Sequence, residues 1–378
     1  MDAVFGAVLK IFISWQSILL GALWLSIMVT IIAFVHELGH YIVAKWCSVK
    51  IEAFAIGMGK ELFGFTAKSG TRWKLCMFPI GGYVQMFGQS DIPKKDDIQY
   101  QSEDEKKQSF ANKTPSQKIL IALAGPFANI ILSFCVLISL LFIYGKNKTI
   151  PIISHVQEFS PASKAKIHIG DVITSINNIE INDFMQVRKE ISLNGCNEVN
   201  LGILRNGKHI SVSIKPEKME IMDNMGGKVK QCLLGISSNK IETINYSFTE
   251  SVIQAGIDTK SITSDTIRGV LHLISGKRSL KELSGPLKIG KLSHDASKYG
   301  IDKFLFLLVV ISIGVGVMNL VPIPVLDGGH IFMSIIALII GQEVPAKIQY
   351  IIYQIGFVAI IALMFTGFIN DFRYLIKL

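Results

Sequence analysis

The chain has 378 residues, half of them apolar, with a mean hydropathy of +0.44 and a formal charge of +9 (pI about 9.2). That balance excludes an ordinary soluble enzyme and points to a membrane protein. The surplus Lys and Arg residues are scattered between apolar runs instead of lining one periodic face, so nucleic acid is not an expected partner.

Four stretches lack Asp, Glu, Lys and Arg: 11–35, 119–145, 304–326 and 348–370. Each approaches the roughly 20 residues that a helix needs to cross a bilayer core. The predicted elements are a first transmembrane helix over 1–45, a second over 119–145, a third over 304–342 and a fourth over 346–370. Whether 304–342 holds one broken span or two stays open.

Between the first two spans, residues 46–118 begin with short β-prone runs punctuated by glycines, which predicts hairpins around Gly57-Met-Gly59 and Gly81-Gly82. Residues 89–113 are charged and polar and read as a mobile loop. Lys45, Lys50, Lys113 and Lys118 around this region, against Lys146 and Lys148 after the second span, tip the first loop toward the cytosol.

A compact module is expected over 150–216. Its Val199–Ile214 segment alternates apolar and polar residues about Asn206-Gly207, a hairpin signal. Asp183 can cap a short helix that carries Phe184, Val187 and Ile191 on one face. With Ser160-Pro-Ala162 leading to Gly170-Asp171, the module resembles a PDZ domain, which binds extended peptides at a sheet edge or acts as steric bulk. Cys196 and Cys232 share this second loop and can pair if it faces an oxidising compartment. Residues 217–303 read as a linker with amphipathic helices, on the stripe Ile253, Ile257, Ile267, Val270, Leu271 and Ile274.

The chemical signal is His36-Glu37-Leu-Gly-His40, at the end of the first apolar run. Positions four apart share a helix face, so both imidazoles can hold one Zn²⁺ with Glu37 as the general base beside it. Ionisable groups are costly at such a place, which argues against a filler role. A hydrolytic zinc needs a third protein ligand. Asp327 is the only acid between Phe304 and Gln342, directly after Asn319-Leu-Val-Pro322-Ile-Pro324-Val-Leu, and is assigned that place. The two prolines break the helix ahead of it. His330, three residues on, is the competing imidazole and ranks second. An ion path through these residues, or a catalytically silent binder of membrane clients, would use the same groups.

H-E-L-G-H, Phe78 to Val84, Gly125-Pro-Phe-Ala-Asn129, a PDZ-like module, Ser284-Gly285-Pro286 and N-x-x-P-x-P-x-L-D-G-G run in the order of the site-2 protease family, which the chain resembles over nearly its whole length. The likeness is nearest to bacterial members that regulate a sigma factor, although the best-known of those has two PDZ domains and only one is found here. The resemblance implies an intramembrane zinc metalloprotease with one Zn²⁺ per chain, held by His36, His40 and Asp327. Glu37 would be the catalytic base. Asn319, Pro322, Gly57, Gly59, Gly81 and Gly82 would contact substrate, the glycine-rich hairpin being membrane-associated. Expected substrates are single-span membrane proteins such as anti-sigma factors after a first cut, and remnant signal peptides. The expected setting is a monomer in the bacterial inner membrane, with the PDZ domain periplasmic and the zinc toward the cytosol.

Overall fold

The computed structural model describes residues 2–89, 102–194, 196–222, 228–275 and 285–376. They form two units, Met1–Leu140 with Phe248–Leu378, and Leu141–Ser247.

The first unit opens with α1 (Asp2–Trp46), apolar from Leu19 onward. Next come β1 (Ile51–Thr66) and β2 (Arg72–Met86), an antiparallel pair. The pair curls on itself. Ile51–Ile56 registers with Gly82–Met86 along one edge, and its residues 53–56 also align with 72–75. The bends fall at Gly57, Gly59 and Gly81, all at positive φ, where a Cβ would be strained. The hairpin predicted from the glycine spacing is therefore present, with Met58, Leu62, Phe63, Phe65, Met77 and Phe78 exposed on it. Residues 90–101 of the charged stretch lie outside the described residues. Its remainder forms α2 (Glu103–Gln108), capped by Ser102, and a single 3-10 turn over Phe110–Asn112. Then α3 (Pro115–Tyr144) runs through Pro126.

The second unit comprises β3 (Lys146–Thr149), β4 (His155–Val156), α4 (Pro161–Lys164), β5 (Val172–Ile176), β6 (Ile179–Glu180), α5 (Phe184–Asn194), β7 (Val199–Arg205), β8 (Lys208–Ile214), β9 (Glu217–Met222), β10 (Lys228–Leu233), β11 (Ile236–Ser237) and β12 (Ile241–Ile244). Its main sheet has the order β6-β5-β7-β8. The β7–β8 turn is Asn206-Gly207, both at positive φ as that dipeptide requires. Asp183 Oδ1 accepts the Met185 N–H at 2.8 Å, and Phe184, Val187 and Ile191 enter the core beside Ile173, Leu201 and Ile203. The unit is larger than the expected 150–216. Strands β11 and β12, placed by sequence in a linker, pair back with β4 and β3, and Cys196 is bonded to Cys232. Strands of two to four residues carry no periodic signal of their own; only their distant partners define them.

The chain re-enters the first unit through α6 (Phe248–Ile274), which buries Ser251, Ala255 and Thr259 while Ile253, Ile257, Ile267, Leu271 and Ile274 stay exposed. The expected stripe thus faces outward. Ser284 of the Ser-Gly-Pro motif lies outside the described residues. From there α7 (Pro286–Tyr299) is capped across space by Asp371, which accepts from the Gly285 and Leu287 N–H groups at 2.9 and 2.8 Å. The stretch 304–342 is not one helix. It divides into α8 (Ile301–Asn319) and α9 (Asp327–Ile340) around a turn containing Pro322 and Pro324, and α10 (Ala346–Ile376) follows. At 1.5 Å per residue, the 14 residues of α9 reach about 21 Å, short of a bilayer core of roughly 30 Å. Among the described residues four helices are long and apolar enough to cross a membrane: Leu19–Trp46, Pro115–Tyr144, Ile301–Asn319 and Lys347–Arg373.

Candidate metal centre

Helical spacing puts His36 and His40 on one face of α1, and that face turns toward α3. Close approach of the two helices depends on small residues. A Cβ added at Gly39 would lie 2.8 Å from Ala128 Cβ, and one at Gly125 would lie 2.6 Å from His40 Cε1 and 2.8 Å from His36 Cε1. Gly125 thus leaves the hollow that both rings fill, and each histidine is more than nine-tenths buried.

Asp327 arrives from the far end of the sequence as the first residue of α9. The break ahead of it is compact: Cβ atoms at Gly328 and Gly329 would run into the carbonyls of Val321 and Ile323. Val325 holds a φ of 86°, a costly conformation for a β-branched residue, two positions before the acid. Asp327 Oδ2 lies 3.1 Å from His36 Nε2, and Oδ1 lies 3.3 Å from His40 Nε2. The two Nε2 atoms are 3.2 Å apart.

These residues fit a metal ion. Around a tetrahedral zinc with bonds of about 2.0–2.1 Å, ligand atoms stand about 3.3 Å from one another. From His36 Nε2, the distances of 3.1 Å to Asp327 Oδ2 and 3.2 Å to His40 Nε2 are close to that spacing, and His40 Nε2 lies 3.3 Å from the other carboxylate oxygen. His40 Nδ1 donates to the Ile121 carbonyl at 2.7 Å, which fixes the tautomer whose Nε2 carries a lone pair. A nitrogen lone pair and a carboxylate at such separations repel unless a cation lies between them.

A cavity of 510 Å³ adjoins the cluster, lined among others by Glu37, Gly81, Gly82, Tyr83, Asn319 and Val325. Glu37 and Val84 both line it. Gly82 allows this closeness, since its Cβ would be 3.3 Å from Glu37 Cγ. Asn319 Nδ2 lies 3.4 Å from His36 Nε2. Gly57 and Gly59 bend β1, and Pro322 stands exposed in the turn before α9; none of the three lines the cavity. His330 borders it, but its Nδ1 lies 3.1 Å from the hydroxyl of Tyr353 on α10, and it is absent from the ligand cluster.

Two residues in the centre were given no role from the sequence. Gly125 and Asn129 both belong to the Gly-Pro-Phe-Ala-Asn motif, and their register on α3 relative to α1 is a tertiary fact. Asn129 is fully buried, with its Nδ2 3.2 Å from His36 Nδ1.

Two histidines and an aspartate at these distances, beside a glutamate and among apolar helices, form a candidate metal centre. Comparison with known sequences is specific: residues 24–363 match the model for peptidase family M50, and the chain belongs to that family. It is a zinc metalloprotease. A relative from Brucella suis is 34% identical, covering 96% of this chain and 98% of its own. One from Agrobacterium fabrum is 32% identical, over 93% and 95%, and one from Campylobacter jejuni is 33% identical, over 93% and 92%. All three are provisionally named zinc metalloproteases. Among solved structures, the PDZ domain of an SdrC-like protein from Listeria innocua matches at 21% identity and a TM-score of 0.20, covering 25% of this chain and 99% of that one.

Proposed function

We propose that this chain is an intramembrane endopeptidase that cleaves the transmembrane segments of other membrane proteins, with one zinc ion per chain held by His36, His40 and Asp327. The observation that carries the reading is the meeting of these three side chains, beside Glu37, on the wall of a cavity within apolar helices. Zinc at this place supplies Lewis-acid activation of water and of the scissile carbonyl. Glu37 holds its carboxylate next to the cluster, takes the proton from the attacking water and delivers it to the departing amide nitrogen as the C–N bond breaks.

A peptide bond within a helix is shielded, so the substrate has to be extended first. Gly82–Met86 pairs with Ile51–Ile56 on one side, and among the described residues no strand is registered on its other side. That edge can take an unwound substrate as an added strand, next to Glu37. Gly81, Gly82 and Asn319 would touch the substrate, while Gly57, Gly59 and Pro322 would shape the strand and turn behind it. The exposed Leu62, Phe63 and Phe65 support a membrane-associated hairpin.

The Cys196–Cys232 bond supports an oxidising, periplasmic side for the second unit, read as a PDZ-like domain, with the zinc toward the cytosol of a bacterial inner membrane. Its substrates would be single-span proteins such as anti-sigma factors after a first cut, and remnant signal peptides. The test is cleavage of a transmembrane peptide by purified wild type and by Glu37→Gln. The variant should keep zinc and lose about 10²–10⁴-fold in rate; cleavage at the wild-type rate would overturn the reading.

A further inference from the structure

Buried polar groups almost always have a partner, so one that lacks it at a functional centre calls for an account. Asn129 Oδ1 is such a group. It is buried without a hydrogen bond, while the other end of the same amide faces His36 Nδ1 at 3.2 Å. Oxygen and nitrogen of an amide have nearly the same shape, and turning the group by half a revolution exchanges them within the same space. In that orientation Oδ1 accepts the His36 Nδ1–H, and the NH2 takes the position that Oδ1 held.

Resting on the proposed metal centre, we infer that Asn129 is the positioning residue of His36. Its amide oxygen holds the ring in the tautomer that presents an Nε2 lone pair to the metal. The partner histidine is held in the same manner, by the Ile121 carbonyl on His40 Nδ1. Both holders belong to α3, four residues either side of Gly125. One helix thus supplies the hollow for the two rings and an acceptor for each.

Asn129 is itself fixed from two directions. Its backbone carbonyl accepts from Ser133 Oγ at 2.9 Å and from Ser312 Oγ of α8 at 3.0 Å. Ser133 Oγ also reaches the Val309 carbonyl at 3.2 Å. The residue that orients His36 is thereby tied to the helix that leads into the Asp327 turn, and a metal ligand's outer partner commonly has this character.

The experiment compares zinc affinity, by competition with a chromogenic chelator, and the Co²⁺ absorption spectrum for wild type, Asn129→Leu and Asn129→Asp in the full-length protein. Leucine keeps the volume and removes the acceptor; aspartate keeps an acceptor facing the ring. Asn129→Leu should weaken zinc by about 10–100-fold and alter the Co²⁺ spectrum, while Asn129→Asp should stay near the wild-type affinity. Equal weakening in both variants would make Asn129 a packing residue and overturn the inference, as would an unchanged Asn129→Leu. A wild type that binds no metal would instead bring down the metal centre itself, and this inference with it.

Discussion

Gly125 sits so close to His40 that a single methyl group added there would lie 2.6 Å from the ring's Cε1. Nothing flexible can give way, because the ring is also bonded through Nδ1 to Ile121. Gly125→Ala should therefore push the imidazoles out of register and lower the zinc content of the purified protein by more than about tenfold, an overpacking effect within the centre. Full metal occupancy in that variant would contradict the packing described here.

Asp327 is the proposed third ligand, and only two imidazoles remain without it. Asp327→Ala should reduce zinc affinity by more than about 100-fold and end cleavage, since a hydrolytic site needs three protein ligands. Equilibrium dialysis against Zn²⁺ gives the answer directly, and undiminished binding would remove Asp327 from the metal.

The disulfide predicts a thiol count. In denaturant without reductant the protein should titrate three thiols, Cys47, Cys76 and Cys135, and with reductant five. The bond spans 36 positions, and closing a loop of that length is worth up to about 4 kcal/mol by chain entropy. Reduction should accordingly make the second unit more sensitive to protease.

Asp171 gives the second unit a dependence on acid. Burial alone would raise its carboxyl, but Arg205 donates to both oxygens at 2.7 Å and the His168 N–H adds a third bond, so the group is held below the ordinary carboxylate range. A lowered value in the fold means stability that is complete above the unfolded value of about 3.9 and lost as pH falls through the folded one. Proteolysis of 141–247 in the intact protein should quicken as pH falls below about 4, and Asp171→Asn should blunt that change. An acid profile identical to wild type would show that the Asp171–Arg205 pair is not responsible.

Much of the centre was legible in the linear order because its chemistry is local or isolated. His36 and His40 share a turn of helix, and Asp327 is the one acid in a long apolar stretch. Gly57, Gly59 and Pro322 were legible as bends, yet their distance from the cavity was not, because a bend says nothing of what lies inside it. The boundary at 216 failed for a related reason: β11 and β12 are too short to show a period, and they exist through β4 and β3.

The sequence by itself determined four helices long and apolar enough to cross a membrane, the helix face shared by His36 and His40, the break before Asp327 and the Asn206-Gly207 hairpin. Each follows from the hydrophobicity, periodicity or backbone preference of neighbouring residues. Tertiary structure alone decided that Gly125 makes room for two rings, that Asn129 meets His36, that His330 goes to Tyr353 and that Cys196 meets Cys232. Those depend on the register between elements distant in the chain, which side-chain packing sets and no local pattern encodes.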